Sequence, residues 1–117
     1  MGRLNKLEHF NIGGNNFGSG EAHDLDFLSS LTNCTQLSVI FAFGNNFGGV
    51  LPNLIGNFSI NLCLLHMEHN QIYGVIPETI GHLIGLNVLQ IVHNLLEATI
   101  SDSIEKLLGV LYLNYRD

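Results

Sequence analysis

The sequence predicts an α/β solenoid: a right-handed coil with a parallel β-sheet on its concave face and short 3-10 or helical turns plus loops on its convex side. Three observations predict it. The pattern L-x-x-L-x-L-x-x-N-x-L recurs along the chain, with an apolar residue in every apolar slot of four full copies. Each copy carries its asparagine in the same place, at positions 15, 45, 70 and 94. Between copies, apolar residues step by three, as in Ile55 to Phe58 and Ile80 to Leu83, a spacing that suits a 3-10 turn.

The first copy is Leu7, Phe10, Ile12, Asn15 and Phe17, and the second Leu37, Ile40, Ala42, Asn45 and Phe47. The third is Leu62, Leu65, Met67, Asn70 and Ile72, and the fourth Leu86, Leu89, Ile91, Asn94 and Leu96. A fifth opens at Val110, Leu113 and Tyr115. The asparagine steps are 30, 25 and 24 residues, and the last two fall in the range of about 20–29 that marks leucine-rich repeats. Residues 1–117 therefore form one leucine-rich repeat domain of four repeats and part of a fifth, with a polar insertion at about 18–27.

In this template the central L-x-L is a short strand whose alternate side chains point inward. One coil cannot bury that face alone, so coils stack with their strands parallel. The asparagines of the ladder, Asn15, Asn45, Asn70 and Asn94, are expected inside the stack where the chain leaves each strand. An amide both donates and accepts, so it can satisfy turn groups that burial would otherwise leave unpaired.

The insertion Gly18-Ser19-Gly20-Glu21-Ala22-His23-Asp24 accounts for the longer first step, and Asp24 is expected to cap a short helix running to about Leu31. After the second and third asparagines come Gly49-Val50-Leu51-Pro52 and Gly74-Val75-Ile76-Pro77, degraded in the fourth repeat to Ala98-Thr99-Ile100-Ser101. Pro52 and Pro77 lack an N–H and fit the end of an edge segment. Beyond the fourth copy the step of three returns at Ile104 and Leu107.

The pattern N-x-F-x-G-x-[LI]-P, followed by Ile55-Gly56-Asn57-Phe58-Ser59 or Ile80-Gly81-His82-Leu83, resembles the plant-specific leucine-rich repeat of receptor-like kinases and receptor-like proteins. The stretch from Asp26 to Leu37 is similar to a segment of the receptor-kinase subfamily that senses bacterial peptides. The resemblance implies a ligand-binding ectodomain segment of a receptor-like serine/threonine kinase. Its partners would be a peptide or protein ligand and a co-receptor, and its place the extracellular side of the cell membrane. The family's paired-cysteine caps, membrane helix and kinase domain find no match here. Exposed stacked Leu and Ile at uncapped ends would make an isolated chain prone to aggregate. A secreted inhibitor of wall-degrading enzymes is the alternative reading.

Composition excludes other classes. Charged residues are 12% of the chain against 46% hydrophobic, the reverse of a disordered segment. A formal charge of −6 with only four Lys and Arg argues against a nucleic-acid partner. No stretch reaches the roughly 18 apolar residues of a membrane span, and no signal peptide opens the chain. Membrane attachment would run through other parts of a parent protein. Cys34 and Cys63 are too few for a disulfide framework and are expected as buried, unpaired small hydrophobes.

Strand residues between the inward positions should face the concave side. One column reads Asn11, Phe41, His66, Gln90 and Asn114, and its neighbour Gly13, Phe43, Glu68, Val92 and Arg116. These vary in size and charge while the inward rows stay apolar, as expected of a recognition surface on a fixed scaffold. Phe41 and Phe43, flanking the small Ala42, are expected to protrude. His66, His69 and His93 with Glu68 lack zinc spacing, and Met67-Glu68-His69 is not H-E-x-x-H. The glycines from 13 to 20 lack the G-K-[ST] of a phosphate loop. No catalytic motif, metal or cofactor is expected. Asn33-Cys34-Thr35 and Asn57-Phe58-Ser59 are both N-glycosylation acceptors by pattern.

Overall fold

The computed structural model describes residues 6–97 and the strand at 112–114. Strands β1 (His9–Asn11), β2 (Val39–Phe41), β3 (Leu64–His66), β5 (Val88–Gln90) and β7 (Tyr112–Asn114) form one parallel sheet in the order β1-β2-β3-β5-β7. The register is unbroken. Phe10 pairs with Ile40, Ile40 with Leu65, Leu65 with Leu89, and Leu89 with Leu113. Because side chains alternate along a strand, this register aligns one inward row across the coils. Ile40, Leu65 and Leu89 are all but fully buried in it.

Further rows run parallel to the first. Leu37, Leu62 and Leu86 are buried before the strands, and Ala42, Met67 and Ile91 after them. Ile55 and Ile80, on the 3-10 turns Asn53–Asn57 and Glu78–His82, close the coil from the far side. Both turns begin after an extended proline, Pro52 and Pro77, where a missing N–H costs no helical bond. A second, two-stranded parallel sheet pairs β4 (Tyr73–Gly74) with β6 (Leu95–Leu96), and Val50 extends it by a bridge to Tyr73.

The asparagine amides bind coil to coil. Asn70 donates from Nδ2 to the carbonyls of Met67 and Glu68 in its own turn, at 3.1 and 3.3 Å, and to Ala42 of the preceding coil at 3.0 Å. Its Oδ1 accepts the Phe47 N–H at 3.1 Å. Asn45 repeats this toward the first coil, donating to Ile12 and accepting from Asn15 and Phe17. Asn94 donates to Met67 and accepts from Ile72. Asn45 and Asn70 are buried and Asn94 is half-buried. Asn15 departs from the expectation: it is exposed and donates only within its own turn, to Ile12 and Gly13, because no coil among the described residues lies ahead of it.

The short helix ends at Leu31 as the sequence indicates, but it does not begin at Asp24. A series of turns leads into α1 (Leu28–Leu31), whose N-cap is Phe27 with no side-chain cap bond. Asp24 does not cap it. Its Oδ2 instead accepts N–H groups from Ser19 at 3.0 Å, Glu21 at 2.9 Å and Gly48 of the next coil at 3.0 Å. Those bonds, the Gly48 one foremost, hold its carboxyl below the ordinary value of 3.8 against an opposing contribution from burial. Leu25 in the insertion and Leu28 and Leu31 on α1 supply the buried face of this stretch. Phe27 bridges two coils, its ring 6.0 Å from Phe10 and 5.2 Å from Phe47.

Cys34 is buried, and burial pushes its thiol up. Cys63 is only half-buried rather than enclosed, since it directly precedes β3, and its Sγ donates to the Ser38 carbonyl at 3.3 Å. Both are free thiols.

Two predictions follow from these bonds. Asn70→Ala strands a buried N–H and several carbonyls and is expected to cost about 1–3 kcal/mol in chemical denaturation; Asn15→Ala, exposed, should cost clearly less. Equal losses would show that the inter-coil bonds contribute nothing. For Asp24, a carboxyl lowered in the folded state adds stability above its ordinary value, lost as pH falls through the lowered one. The stability gap between the native chain and Asp24→Asn should therefore be constant from neutral pH to about 5 and narrow progressively as pH falls through 3.8. A pH-independent gap would contradict this.

Candidate ligand-binding face

The outward side of the five-stranded sheet is assembled from the alternate residues that the core leaves out. Register sets Asn11, Phe41, His66, Gln90 and Asn114 side by side. One step beyond the strands, Gly13, Phe43, Glu68 and Val92 continue the second column. The backbone bonds Gly14 N–H to Phe43, Gly44 N–H to Glu68 and His69 N–H to Val92 tie its successive members. Ala42 is fully buried between the two phenylalanines, so the register is the one the sequence indicates.

The phenylalanines do not protrude as expected; both are half-buried. Phe43 lies over Gly13 of the preceding coil, where a Cβ would fall 2.5 Å from its ring. The missing side chain makes the space the ring occupies. Phe41 leans the other way, its ring centroid 4.9 Å from His66 and nearly perpendicular to it, and 5.9 Å from Phe43. Edge-to-face contacts of this kind set the positive ring edge against the negative face.

His66 and Glu68 share a side, as strand alternation indicates, and meet at 3.3 Å between Nδ1 and Oε2 with side-chain exposures of 23% and 19%. Glu68 Oε1 is sealed from solvent without a hydrogen-bond partner among the described residues. Gln90 and Val92 are half-buried and Asn11 exposed. Asn114 is described only through its strand pairing with Gln90, and Arg116 lies outside the described residues.

On the rim of this face, His69 and His93 stack with ring centroids 4.3 Å apart and planes 18° from parallel. Both backbones are left-handed, at φ 58° and 60°, where the matching residues of the first two coils are Gly14 and Gly44 at 72° and 65°. Histidine tolerates that region better than most side chains, and stacking offsets part of the strain. Among the described residues no group of three or more His, Cys, Asp and Glu is placed to hold a metal.

Sequence reasoning missed the outer row of the second sheet. Val50, Tyr73 and Leu95 are exposed and paired in register there, with Val75 beside them. The signal was the alternation in Gly49-Val50-Leu51-Pro52, where Leu51 is buried and Val50 is not. Asn33 and Asn57 are both exposed, on the same edge of neighbouring coils, where the Ser59 hydroxyl donates to the Thr35 carbonyl at 2.8 Å.

Stacked parallel strands, an asparagine ladder and 3-10 turns across the coil together define a leucine-rich repeat solenoid, and residues 61–83 match the family profile described as Leucine Rich Repeat. Relatives of the chain include plant leucine-rich repeat receptor-like kinases. It is 44% identical over 89 residues to the Receptor kinase-like protein Xa21 of Oryza sativa subsp. japonica, covering 76% of this chain and 9% of that protein. It is 36% identical over 89 residues, with the same coverage of 76% and 9%, to the LRR receptor-like serine/threonine-protein kinase EFR of Arabidopsis thaliana. The chain thus spans less than a tenth of either relative, and their kinase domains lie outside the matched segment. Among solved structures, the plant peptide hormone receptor RGFR1 in complex with RGF2 superposes with a TM-score of 0.78 at 25% identity, covering 99% of this chain and 18% of that one. The ectodomain of the receptor kinase SOBIR1 from Arabidopsis thaliana shares the fold, with a TM-score of 0.75 at 21% identity over 98% of this chain and 58% of that one. The matched segments are leucine-rich repeat ectodomains, which are not catalytic.

Proposed function

We propose that this repeat stretch is the ligand-binding part of a plant receptor-like kinase ectodomain, with the outward face of the five-stranded sheet holding a peptide or protein in pathogen or peptide perception. One observation carries the reading: Phe41, Phe43, His66 and Glu68 form a continuous half-buried patch on that face, above a core whose rows are uniformly apolar. Packing accounts for the rows but requires no aromatic or charged side chain outside them. Half-buried aromatics beside a hydrogen-bonded histidine–glutamate pair are the kind of patch that binding hot spots use. The likeness to a peptide hormone receptor held in complex with its ligand supports the same reading.

In this reading Asn11, Gln90, Val92, Asn114 and Arg116 extend the contact along the coils, and a co-receptor docks beside the ligand. The parent protein holds the stretch on the extracellular side of the cell membrane. Asn33 and Asn57 carry glycans on the edge between the 3-10 turns and the strands, clear of the patch.

The test is selection of a random peptide library on the full chain, followed by affinity measurement on variants. Phe41→Ala, His66→Ala and Gln90→Ala are expected to weaken the selected peptides, the first by about tenfold or more. Ile60→Ala and Ile84→Ala, exposed and remote from the patch, should leave affinity within about twofold. Peptides that respond to the second pair and ignore the first set would refute the assignment.

A further inference from the structure

We propose that the patch around Glu68 is a seat for a cationic side chain, that of an arginine on an extended peptide lying across the sheet; this rests on the ligand-binding reading above. Glu68 supplies half of the argument. Its Oε2 is engaged by His66, while its Oε1 is buried with no donor. A carboxylate oxygen removed from water and left without a hydrogen bond is a destabilising arrangement that needs a reason. An incoming donor that reaches it gains a charge-assisted bond to an oxygen already desolvated. The two oxygens are equivalent, so a turn about the terminal torsion only exchanges them; Oε1 reaches the surface when an inner torsion of the glutamate changes rotamer, with the backbone in place.

The aromatic rings supply the other half. Phe41 stands next to His66, and Phe43 occupies the preceding coil's position in the same column as Glu68. A cation bound at the carboxylate would therefore have phenyl rings within the same patch. Guanidinium matches this pairing best, because its planar fork binds a carboxylate through two N–H groups and its face stacks on aromatic rings. A lysine ammonium offers the charge without the fork or the plane.

The surrounding charge agrees. Lys6 is the only lysine or arginine among residues 6–97, where carboxylates prevail, so nothing from those residues competes for the seat, and a cationic peptide is drawn toward the chain.

The experiment uses peptides selected on the full chain and remade with each arginine replaced by citrulline, the neutral isostere. Selection should enrich arginine, and one citrulline replacement should weaken binding at least about tenfold on the native chain. On Glu68→Gln the same replacement should change affinity less than about twofold. Glu68→Asp, which keeps the charge, should retain a preference for arginine, and melting temperatures of all variants report that they fold. Peptides weakened by Phe41→Ala but indifferent to arginine against citrulline would overturn the cationic seat and leave sheet-face binding standing. Peptides indifferent to every sheet-face substitution would overturn both.

Discussion

Everything in this chain depends on the amide side chain that leaves each coil and bonds to the one before it. Strands of three residues have almost no stability alone, and the core rows are continuous only if the coils keep one spacing and one register. Hydrophobic contact favours closeness, and side-chain alternation already penalises a one-residue slip, which would turn Ile40, Leu65 and Leu89 outward. The amide adds a directional penalty of its own. Asn70 bonds its own turn through Met67 and Glu68 and the preceding coil through Ala42 and Phe47, so a slip of one residue would leave several buried groups unpaired. The apolar rows give the stack its driving force, and the asparagines reinforce its register.

That division explains what the sequence made legible. The repeat, the inward rows, the unbroken strand order and the burial of Ala42 between Phe41 and Phe43 all follow from periodicities of two and of one coil, and they appear as read. What escaped were pairings between residues of different coils. Asp24 looked like a helix cap because its near neighbours in sequence invite one, yet its carboxylate serves the backbone of Gly48. Phe43 looked free to protrude when its own coil was considered alone. Gly13, one coil earlier in the same column, leaves the room into which it folds. Phe27 sits in a segment with no repeat pattern, and only the fold brings it between Phe10 and Phe47. The half-exposure of Cys63 and the second sheet through Tyr73 and Leu95 depend likewise on how coils lie against each other.

The same logic separates scaffold from function. Inward positions are held to apolar residues by their neighbours above and below, whereas outward positions on the sheet escape that demand and take side chains as different as Phe41, His66 and Gln90. A carboxylate oxygen buried without a donor, on a side chain bonded to a histidine, is not something the solenoid needs for packing. The left-handed backbones of His69 and His93, at a position glycine fills in earlier coils, mark the same face as a place where the chain departs from its simplest solution.

Hydrogen exchange of the asparagine side-chain amides, followed by NMR, tests the inter-coil account most directly. The Nδ2 protons of Asn45 and Asn70 should be protected together with the backbone N–H groups of Phe47 and Ile72 that their neighbours' oxygens hold, while those of Asn15 exchange quickly. Equally rapid exchange at Asn70 and Asn15 would contradict it.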